Sequence, residues 1–182
     1  MASNAVIVVI TGAPGSGKTT VAKHLAQRFD LSLHIPTDEL RSWVVSGRVE
    51  PIPVLTPPAI EQLRLAREVV STTAGLYQKH GYSVIVDDVL TSADLQAMFA
   101  QADQSQLHKI LLCPVFERVI ERNYERYRQF DQQKWQPVIA NIYQDLCRHN
   151  TPDQGWIVLD TSNLNVTQTV DAILHPIRSS GR

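Results

Sequence analysis

The run Gly12-Ala13-Pro14-Gly15-Ser16-Gly17-Lys18-Thr19 fits the spacing G-x-x-x-x-G-K-[ST], and it stands between a β-branched apolar segment and a stretch with helical spacing. Glycines let a backbone wrap closely around phosphates, while exposed amides and a helix N-terminus offer positive potential to anionic oxygens. Lys18 is placed to reach the β and γ oxygens of a nucleotide, and the Thr19 hydroxyl to ligate Mg²⁺. Gly12, Ala13, Pro14, Gly15, Ser16, Gly17, Lys18, Thr19 and Thr20 form the expected nucleotide-binding set, with Lys18 also among the catalytic residues.

A phosphate loop of this kind needs an acidic partner for the metal. Val84-Ile85-Val86-Asp87 ends an apolar strand with a carboxylate, so Asp87 is the expected second Mg²⁺ residue, and Asp88 could share the role or cap the next segment. The position after Asp87 holds Asp rather than the Glu that motor ATPases use to activate water, and no N-K-x-D guanine-reading tetrad occurs. A mechanical ATPase and a signalling GTPase are both disfavoured, which leaves a compact kinase.

A phosphotransferase also needs a carboxylate near the γ-phosphate to orient an acceptor hydroxyl and take its proton. Asp38, just past the second strand in His34-Ile35-Pro36-Thr37-Asp38-Glu39-Leu40-Arg41, stands at the sheet edge where open α/β folds bind ligands. Arg41, three residues on, shares its helical face. The same pair also reads as a helix cap followed by a salt-bridged first turn, with Thr37 as an alternative cap. On a later helix Arg118, Arg122 and Arg126 repeat every four residues beside Glu117, Glu121 and Glu125. Arg122 and Arg126 are the candidates for closing over phosphates, and a solvated face with offsetting ion pairs is the alternative.

Short β-branched runs alternate with longer amphipathic stretches, the pattern of βαβ units and a parallel sheet covered on both faces. Strands are expected at Ala5–Ile10, Leu31–Ile35, Ser83–Val86, His108–Cys113 and Trp156–Leu159. Helices are expected at Lys18–Phe29, Asp38–Val45, Pro58–Lys79, Ser92–Ala102, Pro114–Arg128, Pro137–Arg148 and Val166–Leu174. Leu63, Ala66, Val70, Thr73 and Tyr77 form the buried stripe of the third, which Gly81 stops. Four prolines between Glu50 and Pro58 predict an extended loop there, and the polar tail after Pro176 should fray. Trp43, beyond Arg41, either walls the acceptor pocket or anchors its helix in the core.

The chain has 182 residues with 17 basic and 18 acidic side chains, a size and charge that fit one near-neutral domain over residues 1–182, frayed from about 177. Near-zero net charge argues against non-specific coating of nucleic acid. Cys113 and Cys147 form no C-x-x-C pair and read as small buried hydrophobes in a reducing compartment. The six histidines lack metal-binding spacing and read as surface or supporting residues. No targeting segment or apolar run of about 18 residues is present, so a cytoplasmic location is expected.

With these residues in view, the chain resembles the small-molecule P-loop kinases, in particular the AAA_33-like and chloramphenicol phosphotransferase-like group, and also the kinase module of polynucleotide 5′-kinases. The likeness rests on Gly12 to Thr20, Thr37-Asp38-Glu39-Leu40-Arg41, Val84 to Leu90, Cys113-Pro114 leading into Glu121-Arg122 and Arg126, and Leu159-Asp160-Thr161-Ser162. It implies an α/β, three-layer P-loop NTPase fold, nucleotide-kinase-like, with a five-stranded parallel sheet in the order 2-3-1-4-5. It further implies ATP and Mg²⁺, with Asp38 in the place of the general base and Arg41 positioning substrate and phosphate. Arg122 and Arg126 would match lid arginines, and the turn from Asp160 to Asn163 would lie near the adenine.

The expected activity is ATP-dependent transfer of the γ-phosphate to a hydroxyl of a small-molecule acceptor, by a monomer or weak homodimer. A polynucleotide 5′-hydroxyl kinase is the second reading, disfavoured because Arg41, Arg48, Arg64 and Arg67 are scattered and no aromatic-basic interleave stands out. A nucleotide-binding regulatory module without transfer is the third.

Overall fold

Strand β1 (Ile7–Thr11) is buried at every position, because it lies at the middle of the sheet with strands on both edges and helices on both faces. A computed structural model describes residues 5–126 and 132–179, and the side chains of residues 5–125 and 134–178. Around β1 stand β2 (Ser32–Pro36), β3 (Ser83–Asp87), β4 (Leu107–Leu112) and β5 (Trp156–Leu159), all parallel, in the order β2-β3-β1-β4-β5. Parallel pairing brings every C-terminal strand end to one edge: Ile10 pairs with Asp87, and Pro36 with Asp87 from the other side.

The helices are α1 (Lys18–Ala26), α2 (Thr37–Arg41), α3 (Pro57–Lys79), α4 (Ser92–Met98), α5 (Phe116–Arg126), α6 (Gln132–His149) and α7 (Val166–Ser179). Alternate β1 side chains divide between the faces. Val8 and Ile10 pack with Leu25 of α1 and Ile173 of α7, while Ile7 and Val9 pack with Val70 of α3, Leu95 of α4 and Leu146 of α6. A smaller cluster joins Ala13 to Val119 of α5 and Ile139 of α6, so the α5–α6 pair is seated directly against the loop after β1.

Several boundaries differ from the sequence reading. Helix α2 ends at Arg41 rather than Val45, because Trp43 and Val44 donate to the carbonyls three residues back and tighten the turn. Trp43 is 74% exposed and is not a core anchor. Helix α3 begins at Pro57, where prolines fit the first turn, and its buried stripe is Ala59, Ala66, Val70 and Ala74. Tyr77, expected in that stripe, is exposed instead and stacks edge-on against Tyr82. Gly81 closes the helix with φ +88°, donating to Gln78 O.

Helix α6 starts ahead of Pro137, which lies one turn inside and removes a single ladder bond. Helix α7 runs through Pro176 with Ile177 in the core, past the expected end at Leu174. The two cysteines are half-buried free thiols, with sulfurs 3.0 Å apart and Cys113 Sγ 3.4 Å from Tyr143 Oη. Burial, with Cys113 beside it, pushes the Cys147 thiol up to about 12. Among the described residues no helix is long and apolar enough to cross a membrane.

Candidate active site

The loop from Gly12 to Gly17 joins β1 to α1, and its backbone requires glycine. Gly15 has φ +90°, and a Cβ there would lie 2.7 Å from Val119 O and collide with Asn123 Nδ2. Gly12, with φ +155°, would press a Cβ to 2.7 Å from Leu112 O. The α1 N-terminus has no side-chain cap, so its first amides are available to an anion. Lys18 Nζ donates to Gly12 O at 2.8 Å and to Ala13 O at 3.3 Å, which folds the ammonium along the loop.

Thr19 and Asp87 meet across the sheet edge, with Thr19 Oγ1 donating to Asp87 Oδ1 at 2.9 Å. The other oxygen of Asp87 lies 2.6 Å from His34 Nε2. Both carboxylates at this strand end, Asp87 and Asp88, are buried. They have different surroundings. Arg67 of α3 donates to Asp88 Oδ2 at 3.2 Å, to Asp94 Oδ1 at 2.6 Å and to Val89 O at 3.0 Å, while Asp88 Oδ1 accepts from its neighbour Val89 N. Burial pushes the Asp88 carboxyl up to about 6, against the pull of Arg67 and the Val89 amide. Of the two, Asp87 is the one on Thr19, and Asp88 is committed to Arg67.

Asp38 occupies the first turn of α2, next to the β2 end that pairs with Asp87. Its side chain is 84% exposed and takes a hydrogen bond of 3.3 Å from Arg41 Nη1. Arg41 is 5% exposed; Nη2 donates to Val49 O, and Nε is buried with no partner. Thr37 Oγ1, one residue before Asp38, is also buried without a partner. Side-chain capping of α2 by Thr37 or Asp38 is absent, which removes the cap alternative and leaves a salt-bridged turn with an open carboxylate.

Arg122 Nη1 donates to Ser16 O at 3.4 Å and would lie 3.7 Å from a Cβ on Gly17, so this arginine stands over the loop. Arg118 instead pairs with Glu121 on an exposed face. Arg126 closes α5, and its side chain lies outside the described residues. A cavity of about 290 Å³ opens between loop and α7, lined by Ser16, Gly17, Thr20, Arg122, Thr161 and Thr169. Ser16 Oγ and Thr161 Oγ1 at its wall are buried with no hydrogen-bond partner. Unsatisfied hydroxyls on a cavity beside a glycine cradle fit a polar ligand such as a nucleotide. The hydroxyl and carboxylate of Thr19 and Asp87 are a hard-oxygen pair suited to Mg²⁺.

A family model described as an AAA domain, AAA_33, matches residues 7–144. The chain belongs to this family. Over 97 residues it is 31% identical to a UPF0200 protein of Aeropyrum pernix, a stretch that covers 52% of this chain and 52% of that protein. The chain thus matches about half the length of this curated relative. Thymidylate kinase of Candida albicans shares the fold with a TM-score of 0.69 at 15% identity, over 97% of this chain and 92% of its own. A gluconokinase from Sinorhizobium meliloti does so with a TM-score of 0.64 at 17% identity, over 98% and 94%. The AAA_33 chain thus has the fold of these P-loop kinases.

Three further residues at this sheet edge carry no mark of their own in the sequence. Asn123 is buried on α5 and donates to Pro14 O and Val119 O, bolting the helix to the phosphate loop. His34 and Arg67 grip the two carboxylates at the β3 end. Asn123 follows Arg122 directly and faces inward at the same helical turn, a signal that the arginine repeat obscured.

Proposed function

We propose that this protein is an ATP-dependent phosphotransferase that moves the γ-phosphoryl group to an alcohol of a small-molecule acceptor. The observation that carries the reading is the convergence at one sheet edge of the phosphate loop, the Thr19–Asp87 pair and an exposed carboxylate, Asp38, held by a buried arginine. In this reading the amides of the loop and Lys18 bind the β- and γ-phosphates, and Arg122 adds charge from above. Thr19 and Asp87 hold Mg²⁺, which when bound neutralises charge on the phosphate oxygens.

Asp38 orients the acceptor hydroxyl and takes its proton as the oxygen bonds to the γ-phosphorus and the bond to the β–γ bridging oxygen breaks, releasing ADP. Arg41, itself buried, keeps Asp38 in place. Most of the rate enhancement comes from positioning and charge. Thr20, Thr161 and Thr169 line the side of the cavity where the nucleoside would sit. Arg126 is proposed as a second arginine over the phosphates.

The test is transfer of label from γ-labelled ATP with Mg²⁺ to nucleosides, sugars, aminoglycoside and phenicol antibiotics and a 5′-hydroxyl oligonucleotide. Label on a small molecule supports the reading and names the acceptor class. Label on the oligonucleotide alone, with affinity falling steeply as salt rises, would replace it with a polynucleotide kinase. Tight MgATP binding with no transfer to any acceptor would favour a regulatory module.

A further inference from the structure

We infer that His34 is a positioning residue for Asp87: its Nε2 proton pins one carboxylate oxygen so that the other stays on Thr19, ready for Mg²⁺. The inference rests on the nucleotide-site reading above. Asp87 is buried at the end of β3, where a carboxylate with an unpartnered oxygen is costly. Both of its oxygens are engaged, Oδ1 by Thr19 Oγ1 at 2.9 Å and Oδ2 by His34 Nε2 at 2.6 Å.

The backbone imposes this contact. In the parallel register His34 pairs with Ile85 and Pro36 with Asp87, so His34 and Asp87 lie on the same face as diagonal neighbours on adjacent strands. An imidazole is long enough to span that diagonal, and only 12% of its side chain is exposed. With His34 truncated, Oδ2 of Asp87 would lose its partner and the carboxylate would be free to rotate about its last torsion. Partners behind a metal-binding group commonly affect metal affinity by about 10–100-fold. The substitution His34→Gln keeps an N–H donor at a similar reach from the backbone, while His34→Ala removes it.

The experiment measures ATP affinity by calorimetry across a Mg²⁺ titration and in EDTA, for the wild type, His34→Ala and His34→Gln. We expect His34→Ala to raise the half-saturating Mg²⁺ concentration about tenfold, to leave ATP affinity in EDTA within twofold, and His34→Gln to recover most of the loss. A Mg²⁺ dependence in His34→Ala equal to wild type overturns the inference. So does an equal loss of affinity with and without Mg²⁺, or a His34→Gln no better than His34→Ala, since either would make the ring a packing element. A wild type whose ATP affinity ignores Mg²⁺ overturns the nucleotide-site reading itself, and the role of His34 with it.

Discussion

Replacing Arg67 by methionine would strand a buried charge, and the cost should depend on pH in a defined direction. Arg67 is the counter-ion of Asp88, bridges it to Asp94, and donates to Val89 O. Burial lifts the Asp88 carboxyl from an ordinary 3.8 to about 6, with Arg67 and the Val89 amide opposing and the nearby Asp38 charge adding to the rise. The folded chain therefore holds this proton more tightly than the unfolded chain. The contribution of Asp88 to wild-type stability should fall as pH rises from about 4 to about 6 and stay level above that, by up to about 3 kcal/mol at 1.36 kcal/mol per pH unit. Without Arg67 the carboxyl rises further, so the variant keeps losing stability above pH 6. At pH 8 the deficit should reach about 3–5 kcal/mol, the usual cost of leaving a buried charge unpaired. For a chain of this size that is roughly 2–4 °C in Tm per kcal/mol. At pH 5 Asp88 is protonated in the folded variant, and only the lost hydrogen bonds remain, about 1–2 kcal/mol. Urea unfolding followed by circular dichroism between pH 5 and 8 measures both, and Arg67→Met/Asp88→Asn should recover most of the pH 8 deficit. A deficit equal at pH 5 and pH 8, or no recovery in the double variant, would refute the account of a stranded carboxylate.

Other substitutions separate the parts of the site. Gly15→Ala forces a side chain into φ +90° and onto Val119 O, a strain of about 1–3 kcal/mol, so ATP affinity measured by calorimetry should fall by about 5- to 150-fold if the strain is relieved only by opening the loop. Unchanged affinity would mean that the loop wraps nothing. Trp43→Ala should leave thermal stability within about 0.5 kcal/mol, because the ring is largely solvent-exposed. If the ring contacts the acceptor beyond Arg41, the acceptor KM rises while kcat holds; steady-state kinetics in which only kcat falls would place it elsewhere.

Contiguous signals were legible from the sequence, and contacts set by register or distant packing were not. The phosphate loop is one local motif, and Gly12 and Gly15, whose positive φ and close contacts the structure shows, both lie within it. The alternation of apolar runs with amphipathic stretches predicted five parallel strands, and the family resemblance supplied their order. Asp87 is the expected metal residue, with Asp88 as a possible sharer of the role or a cap, and the sequence alone does not separate the two. Their difference comes from Thr19 and His34 on one side and Arg67 on the other, 68, 53 and 21 residues away in sequence. His34 had no spacing to mark it, because its partner lies across a strand pair. The end of α2 was misplaced because Trp43 and Val44 look apolar enough to continue a helix, yet both face solvent. Pro137 reads as a helix start by its usual preference, while the packing of Trp135 before it and Ile139 after it in the cluster with Ala13 fits a helix that continues on both sides.

The most direct test of the central claim is the chemical form of the product, read by ³¹P NMR after incubating the wild type and Asp38→Asn with MgATP and the acceptor found by the labelling screen. Direct transfer to an alcohol predicts a phosphomonoester resonance that grows as ADP grows. Its rate should drop by about 10²–10⁴ in Asp38→Asn, the range for loss of a general base, with MgATP affinity retained. A new diphosphate doublet would mean that the acceptor is a phosphate, inorganic phosphate alone would mean hydrolysis, and an ester formed equally fast by Asp38→Asn would remove Asp38 from the chemistry.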